Sequence, residues 1–173
     1  DYFFPGSGVL LQRELGLDGR IAALDIRNAC SGFIYALSVA DQFIKTGMYK
    51  TILVIGAEIQ STALDIITRG RNTAVIFGDG AGAVILQPSD SPGILSTHLH
   101  SDGHFAEELY VKDPGSSRPH KERQPEQILD TSTFKVVMNG NQVFKHAVVR
   151  FMEVINEALK ANDLQRTDID LLV

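Results

Sequence analysis

Residues 25–33 read Asp-Ile-Arg-Asn-Ala-Cys-Ser-Gly-Phe, and the hydrophobic period of the chain changes within this stretch. The apolar residues 21–26 predict a short buried strand. From Phe33 to Ile44 apolar residues recur every three or four positions, which predicts a helix with one buried face. The apolar run at 51–56 predicts the next strand. Together the three segments predict a β-α-β unit, which is typical of an α/β fold with a parallel sheet.

Cys30 is the single cysteine of the chain, and it lies where the predicted strand gives way to the helix. A side chain at the start of a helix is close to unpaired N–H groups and to the positive end of the helix dipole, which favour thiolate over thiol. Gly32 leaves room for a substrate carbonyl to approach, as in a nucleophile elbow. Spacing alone leaves a second interpretation open, because free cysteines are often buried and inert.

The composition is that of a soluble globular protein with a sizeable core, since 44% of the 173 residues are hydrophobic and 21% are charged. One cysteine excludes an internal disulfide framework and fits a reducing compartment. A formal net charge of -5 argues against a nucleic-acid partner. No signal peptide and no apolar run of about 18 residues is visible, so we expect a cytoplasmic protein without a membrane partner.

The clearest break in the chain is Pro88-Ser-Asp-Ser-Pro-Gly93, and it divides the sequence into two half-domains, 1–90 and 91–173. The first residues are apolar and the last resemble a strand that has only begun, so we expect a piece of a longer chain. Asn139 or Asn141 is expected to cap the last helix. Further predicted elements are helices at 9–17 and 143–162, strands at 73–77, 81–87, 94–100 and 168–173, and a surface loop at 113–127.

Two motifs suggest ligands, but each has a simpler interpretation. Residues 78–83, Gly-Asp-Gly-Ala-Gly-Ala, could cradle a phosphate, yet they continue into a strand, which favours a tight hairpin with the strand at 73–77. His98, His100, Asp102 and His104 could gather zinc as in a metal-dependent hydrolase. Their spacing departs from that signature by one residue, so local hydrogen bonding is favoured and no metal is expected.

Four motifs in order cover nearly the whole chain and closely resemble β-ketoacyl-acyl carrier protein synthase III, a condensing-enzyme family of the thiolase superfamily. They are residues 28–33 around Cys30, 77–83 around Asp79, 96–103 around His100 and 138–145 from Met138 to Lys145. The resemblance implies an α/β fold with thiolase-like αβαβα layers in two similar halves. It also implies a homodimer in the full-length protein.

The family's chemistry assigns a role to Cys30. Its thiolate is acylated by acetyl-CoA or another short acyl-CoA, and the acyl group then condenses with the carbanion formed when malonyl-acyl carrier protein loses carbon dioxide. The backbone N–H of the cysteine helps to stabilise the oxyanion. The resemblance implies acyl-CoA as a substrate and no bound cofactor.

The resemblance implies binding roles for five further residues. Arg71 corresponds to a position that contacts the adenine end of CoA. Gly140 and Asn141 correspond to the wall of the pantetheine tunnel, and Met138 lies near the acyl pocket. Lys145 corresponds to a basic position used to dock the acidic carrier protein.

The chain departs from the family in one respect. The family's catalytic histidine follows a strand that ends like residues 171–173, and its catalytic asparagine lies beyond, so neither is in this sequence. We therefore expect these 173 residues alone not to catalyse decarboxylative condensation. Three alternatives stay open: a related polyketide or quinolone starter synthase, a catalytically incomplete thiolase-like fragment, and, on the histidines, a zinc hydrolase.

Overall fold

A computed structural model describes residues 4–111 and 136–173. The chain forms two compact units. Unit 1 combines Asp1–Val54 with Val84–Pro88, and unit 2 combines Ile55–Ala83 with Ser89–Val173.

Unit 1 contains the two helices that the apolar period predicts in the first part of the chain. Helix α1 spans Ser7–Glu14 and is followed by Gly16, which has φ +62°. Helix α2 spans Gly32–Lys45 and carries the buried Ala40. Gly47, with φ +75°, follows α2 and allows the chain to leave the helix in a left-handed conformation. Both helix predictions are confirmed, with ends shifted by one to three residues.

Strands β1 and β2 pair in a two-stranded sheet, with β1 at Ile52–Glu58 and β2 at Gly80–Leu86. The Gln87 side chain, just after β2, donates a hydrogen bond of 2.9 Å to the hydroxyl of Thr51, just before β1. The start of β1 therefore lies beside the end of β2, and the strands are antiparallel. Both strand predictions are confirmed, but β1 has an antiparallel neighbour instead of the predicted parallel one at 21–26.

The second sheet belongs to unit 2 and leads into the longest helix. Strands β3, Leu109–Val111, and β4, Val136–Met138, are antiparallel, with Leu109 opposite Met138. Helix α4 follows at Gly140–Ala161, so the prediction of a long final helix is confirmed. Asn139 occupies its N-cap position as predicted, but without a side-chain capping bond. Its backbone N–H instead donates to the carbonyl of Glu108 at 2.8 Å.

Four predicted strands are wrong. Residues 73–77 belong partly to the short helix α3, Arg71–Ala74, and the N–H groups of Ile76 and Phe77 bond back to the carbonyl of Thr73. Residues 21–26 and 94–100 make no strand pairing within the described part of the chain. Residues 168–173 begin inside a 3₁₀ turn, Arg166–Asp168. Apolar content alone does not make a strand, because a strand also needs a neighbour to bond with its backbone. The predicted loop at 113–127 lies outside the described residues.

The length of the chain would allow a sizeable core in a complete domain, but among the described residues the buried apolar side chains are Ala40 and Val54. The apolar stripe of α4 is largely exposed, at 69% for Phe144 and 66% for Phe151. Amphipathic spacing predicts the face that a helix can bury, but burial needs a surface to pack against. No helix among the described residues has the length and hydropathy to cross a membrane.

Candidate active site

Cys30 lies in a sharp turn directly before α2. A 3₁₀ turn spans Ala29–Ser31, and Gly32 begins the helix. Ala29 has φ +47°, a left-handed conformation that costs a residue with a side chain roughly 1–2 kcal/mol. Strain of this kind is often found at active sites, where the surrounding structure maintains it. The tight turn predicted at the cysteine is confirmed, although the strand before it is absent.

The Cys30 thiol is exposed. The interpretation as a buried cysteine is therefore wrong for this structure. The Ser31 hydroxyl donates a hydrogen bond of 3.0 Å to the Asn28 carbonyl and closes the turn. A side chain at Gly32 would meet the Ile26 carbonyl oxygen at 3.7 Å, an ordinary contact. Packing within the chain thus does not demand this glycine, and it leaves open space beside the thiol.

The approach to Cys30 is anchored by Asp25, a residue that the sequence argument missed. The backbone N–H of Gly8, in the first turn of α1, donates to both carboxylate oxygens of Asp25, at 3.0 and 3.2 Å. One indication of this role is present in the sequence. Asp25 is the acidic residue of the otherwise apolar segment at 21–26, and a carboxylate that points inward needs a hydrogen-bond partner.

The residues predicted to bind CoA and the carrier protein lie in unit 2, whereas Cys30 lies in unit 1. Four of them follow one another closely at the junction of β4 and α4. Met138 ends β4, and its Cε would lie 3.5 Å from a side chain added at Gly140. Asn141 and Lys145 are exposed on the first turns of α4. Arg71 is exposed at the start of α3, on a separate segment of unit 2.

Asp79, in the glycine motif, has a structural role that differs from the predicted hairpin. Its Oδ1 accepts hydrogen bonds from the backbone N–H groups of Gln60, at 2.6 Å, and Ser61, at 2.8 Å. Its Oδ2 accepts from the Ser61 hydroxyl at 2.7 Å. The bonds from Ser61, side chain first, lower the pKa of Asp79. The carboxylate therefore holds the 3₁₀ turn Ser61–Ala63 next to the start of β2.

The described part of the chain leaves space around the glycines of this motif. A side chain at Gly78 or Gly82 would meet nothing within 4 Å, and one at Gly80 would meet only the Glu58 carboxylate, at 3.8 Å.

The histidines of residues 98–104 bind carboxylates. His98 and His100 contact Glu157 of α4, with His98 Nδ1 3.2 Å from Oε1 and His100 Nε2 2.6 Å from Oε2. These bonds, from His100 first, lower the pKa of Glu157. His104 Nδ1 lies 2.8 Å from Asp102. No group of three histidine, cysteine or acidic side chains at residues 4–111 and 136–173 is arranged to hold a metal ion.

The sequence and the structure of the chain are both similar to those of one enzyme family. Residues 24–103 match the family 3-oxoacyl-[acyl-carrier-protein] synthase III. The β-ketoacyl-[acyl-carrier-protein] synthase III of Methylococcus capsulatus is 43% identical over all 173 residues, which span 50% of that protein. The crystal structure of 3-oxoacyl-[acyl-carrier-protein] synthase III from Aquifex aeolicus matches 98% of the chain and 48% of its own length, at 37% identity and a TM-score of 0.82.

A third similar protein comes from a polyketide biosynthetic pathway. The priming β-ketosynthase of the R1128 polyketide pathway matches 97% of the chain at 29% identity, with a TM-score of 0.80.

The fold and the cysteine turn place the chain among the thiolase-like condensing enzymes, and the predicted fold class is confirmed. Within that class the chain belongs to the β-ketoacyl-acyl carrier protein synthase III family, as the four motifs predict. It spans about half the length of the curated relatives that it matches.

Proposed function

We propose that this chain carries the nucleophile of a condensing enzyme that initiates fatty acid synthesis, and that Cys30 is that nucleophile. The observation that supports the proposal most directly is the exposed Cys30 thiol in a turn held by the strained Ala29 at the start of α2. A backbone fixed in this way holds the thiol and the N–H groups of the turn in one arrangement before the substrate binds, and such preorganisation is what lowers a reaction barrier.

The first step of the proposed reaction is acyl transfer. The Cys30 thiolate attacks the thioester carbonyl of acetyl-CoA or another short acyl-CoA and forms a tetrahedral oxyanion. The backbone N–H of Cys30 donates a hydrogen bond to this oxyanion, and such donors contribute several kcal/mol to lowering the barrier. The oxyanion collapses, the bond to the CoA sulfur breaks, and CoA leaves as a thiolate. The acyl group stays on Cys30 as a thioester.

The second step consumes the acyl group. Malonyl-acyl carrier protein loses carbon dioxide, and the electron pair of the broken bond forms a carbanion that attacks the acyl thioester. The Cys30 thiolate leaves, and the product is a β-ketoacyl carrier protein. The step needs no bound cofactor, because the decarboxylation supplies the electron pair. The full-length enzyme is proposed to be a cytoplasmic homodimer.

Binding roles for five residues of unit 2 are part of the same proposal. Arg71 would contact the adenine end of CoA, and Met138, Gly140 and Asn141 would line the acyl and pantetheine path. Lys145 would dock the acidic carrier protein. Its exposure on α4 suits this role, since a basic side chain in solvent can attract an acidic partner before contact.

A second candidate is a starter synthase of a polyketide pathway. The likeness to the R1128 priming β-ketosynthase favours it, since that protein shares the fold of this chain at a TM-score of 0.80. Both candidates use the same acyl-enzyme and differ in the acyl group loaded. A competition between acetyl-CoA and longer acyl-CoA thioesters would separate them, because the preferred donor gives the more abundant adduct.

The test of the proposed function is intact-mass measurement after incubation with acetyl-CoA. We expect one acetyl adduct on the protein and none on Cys30→Ala. Ser91→Ala is the matched control, because it removes an exposed hydroxyl from the segment that follows β2 and leaves the turn at Cys30 unchanged. Absence of the adduct from both this chain and a full-length version would contradict the thiol mechanism. We further expect no ketoacyl product from these 173 residues with malonyl-acyl carrier protein.

A further inference from the structure

Asp25 caps a helix to which it does not belong. Helix α1 has no acidic residue in its first turn, and its N-cap residue, Gly6, has no side chain to accept a hydrogen bond. The Asp25 carboxylate supplies both the negative charge and the hydrogen-bond acceptor. It lies 17 residues beyond Gly8 in the chain and accepts the Gly8 N–H on its two oxygens. An anion at this end of a helix is favoured by the helix dipole.

Two glycines make room for this carboxylate. A side chain at Gly6 would clash with Oδ2 of Asp25. A side chain at Gly8 would approach the same oxygen to 3.1 Å, which is tighter than an ordinary contact. The first turn of α1 therefore leaves room for Asp25. A side chain at Gly6 would displace the carboxylate, and one at Gly8 would require it to shift by a few tenths of an ångström.

The anchored residue lies five positions before Cys30. Ala29 keeps φ +47° only if the backbone on both sides of it is held. On the C-terminal side α2 begins at Gly32. On the N-terminal side residues 21–26 form no ladder among the described residues, and the bond between Asp25 and α1 is one anchor of this segment, closer to the turn than the bond between Gln12 and the Ile21 carbonyl.

We infer that Asp25 is a positioning residue for Cys30. Its bond to Gly8 holds the chain that enters the turn, so that the Cys30 thiol and backbone N–H keep the arrangement that acyl transfer requires. The inference rests on the proposed function, because it assumes that the N–H groups of this turn stabilise an oxyanion.

Two reagents can separate positioning from general stability, and the single cysteine lets both report on one site. With p-nitrophenyl acetate, the Cys30 sulfur attacks the ester carbonyl, an oxyanion forms, and p-nitrophenolate leaves. With iodoacetamide, the same sulfur displaces iodide directly, and no oxyanion forms. The ratio of the two rate constants, with intact mass to identify the adduct, measures how well the turn supports acyl transfer.

The expected result is a ratio about tenfold lower in Asp25→Ala, because an oxyanion donor that moves out of place loses most of its effect. Asp25→Asn keeps an oxygen that can accept the Gly8 N–H, and we expect it to restore the ratio to within about twofold of the parent value. If Asp25→Ala does not fold, Gly6→Ala carries the same expectation, because its methyl group would displace the Asp25 carboxylate from the Gly8 N–H.

Gln12→Ala is the matched control. The Gln12 side chain also ties α1 to the segment that follows it, by donating to the carbonyls of Asp18 at 3.1 Å and Ile21 at 2.6 Å. We expect this variant to lower the melting temperature without changing the ratio. An unchanged ratio in Asp25→Ala, or an equal fall in Gln12→Ala, would overturn the inference. The proposed function fails on a different observation, the absence of an acetyl adduct from acetyl-CoA.

Discussion

Glu157 on α4 holds His100 through a contact of 2.6 Å between its Oε2 and the Nε2 of the imidazole. The other carboxylate oxygen contacts His98, whose Nε2 lies 2.8 Å from the Ser96 hydroxyl. The Asn162 side chain, just after α4, donates to the same hydroxyl at 2.7 Å. Side chains thus attach residues 94–100 to the helix where the sequence predicts a strand.

This attachment should depend on pH. The two imidazoles hold the pKa of Glu157 below its ordinary 4.5, so its contribution to stability is complete above 4.5 and is lost as the pH falls through the lower folded value. We expect Glu157→Gln to lower the melting temperature at neutral pH. The difference from the parent protein should shrink as the pH falls below 4.5. Thermal unfolding followed by circular dichroism between about pH 7 and pH 3 measures this difference in melting temperature.

The control for this experiment is Glu153→Gln on the same helix. Glu153 binds Arg150 at 2.6 Å and makes no contact with the histidines, so its loss removes one carboxylate and leaves residues 94–100 attached. A difference between Glu157→Gln and the parent that stays constant down to about pH 3 would contradict the prediction.

What the sequence predicts well is local. Helix α2 is predicted within one residue at each end, because its apolar period and Gly47 lie in the same short stretch. The turn at Cys30 follows from the change of period beside it. Four of the wrong predictions are strands. An apolar segment becomes a strand only beside a neighbour, and that neighbour lies elsewhere in the chain, as β2 does for β1.

The partners of the charged side chains are equally non-local. Glu157 meets His100 across 57 residues, and Asp25 meets Gly8 across 17. No spacing rule joins such positions, because the fold alone brings them together. Asp25 is the acidic residue of the apolar segment at 21–26, which indicates that it needs a hydrogen-bond partner. Only the structure identifies the Gly8 N–H as that partner.

The strain at Ala29 gives a prediction for stability. Glycine adopts φ +47° without steric cost, so Ala29→Gly removes roughly 1–2 kcal/mol of strain and loses roughly 0.5–1 kcal/mol to the greater freedom of the unfolded chain. We expect a net gain of about 0.5–1 kcal/mol in the free energy of unfolding, measured by urea denaturation.

The same substitution should slow acetylation of Cys30, because glycine also lets the turn leave this conformation. Ala40→Gly, in the middle of α2, is the contrasting control and should destabilise by roughly 1 kcal/mol or more, since Ala40 is buried in a helix. A loss of stability in Ala29→Gly would mean that the left-handed turn carries no strain.

A side chain at Gly6 is expected to displace the Asp25 carboxylate. Gly6→Ala would place a methyl group against Oδ2 of Asp25, and the carboxylate would have to leave the Gly8 N–H. Loss of this exposed hydrogen bond costs about 0.5–1.5 kcal/mol, which urea denaturation would detect. Gly19→Ala is the matched control, because an added side chain there meets nothing within 4 Å. Equal stability of the two variants would contradict the predicted clash.

Asp79 is expected to matter for the sheet of β1 and β2 rather than for a ligand. Asp79→Ala leaves the N–H groups of Gln60 and Ser61 without their carboxylate acceptor and frees the turn after β1. Asp79→Asn keeps one acceptor oxygen and should lie between Asp79→Ala and the parent in melting temperature. Because the pKa of Asp79 is lowered, its contribution is present above the ordinary value of 3.8 and is lost as the pH falls below it.

Ser61→Ala is the matched variant for this prediction, since it removes the bond to Oδ2 and leaves both backbone bonds to Oδ1 in place. It should lower the melting temperature less than Asp79→Ala does. Phosphate at millimolar concentration should leave the melting temperatures of the parent and Asp79→Ala unchanged. Stabilisation of either protein by phosphate would contradict this expectation, because a ligand that binds the folded state raises its stability.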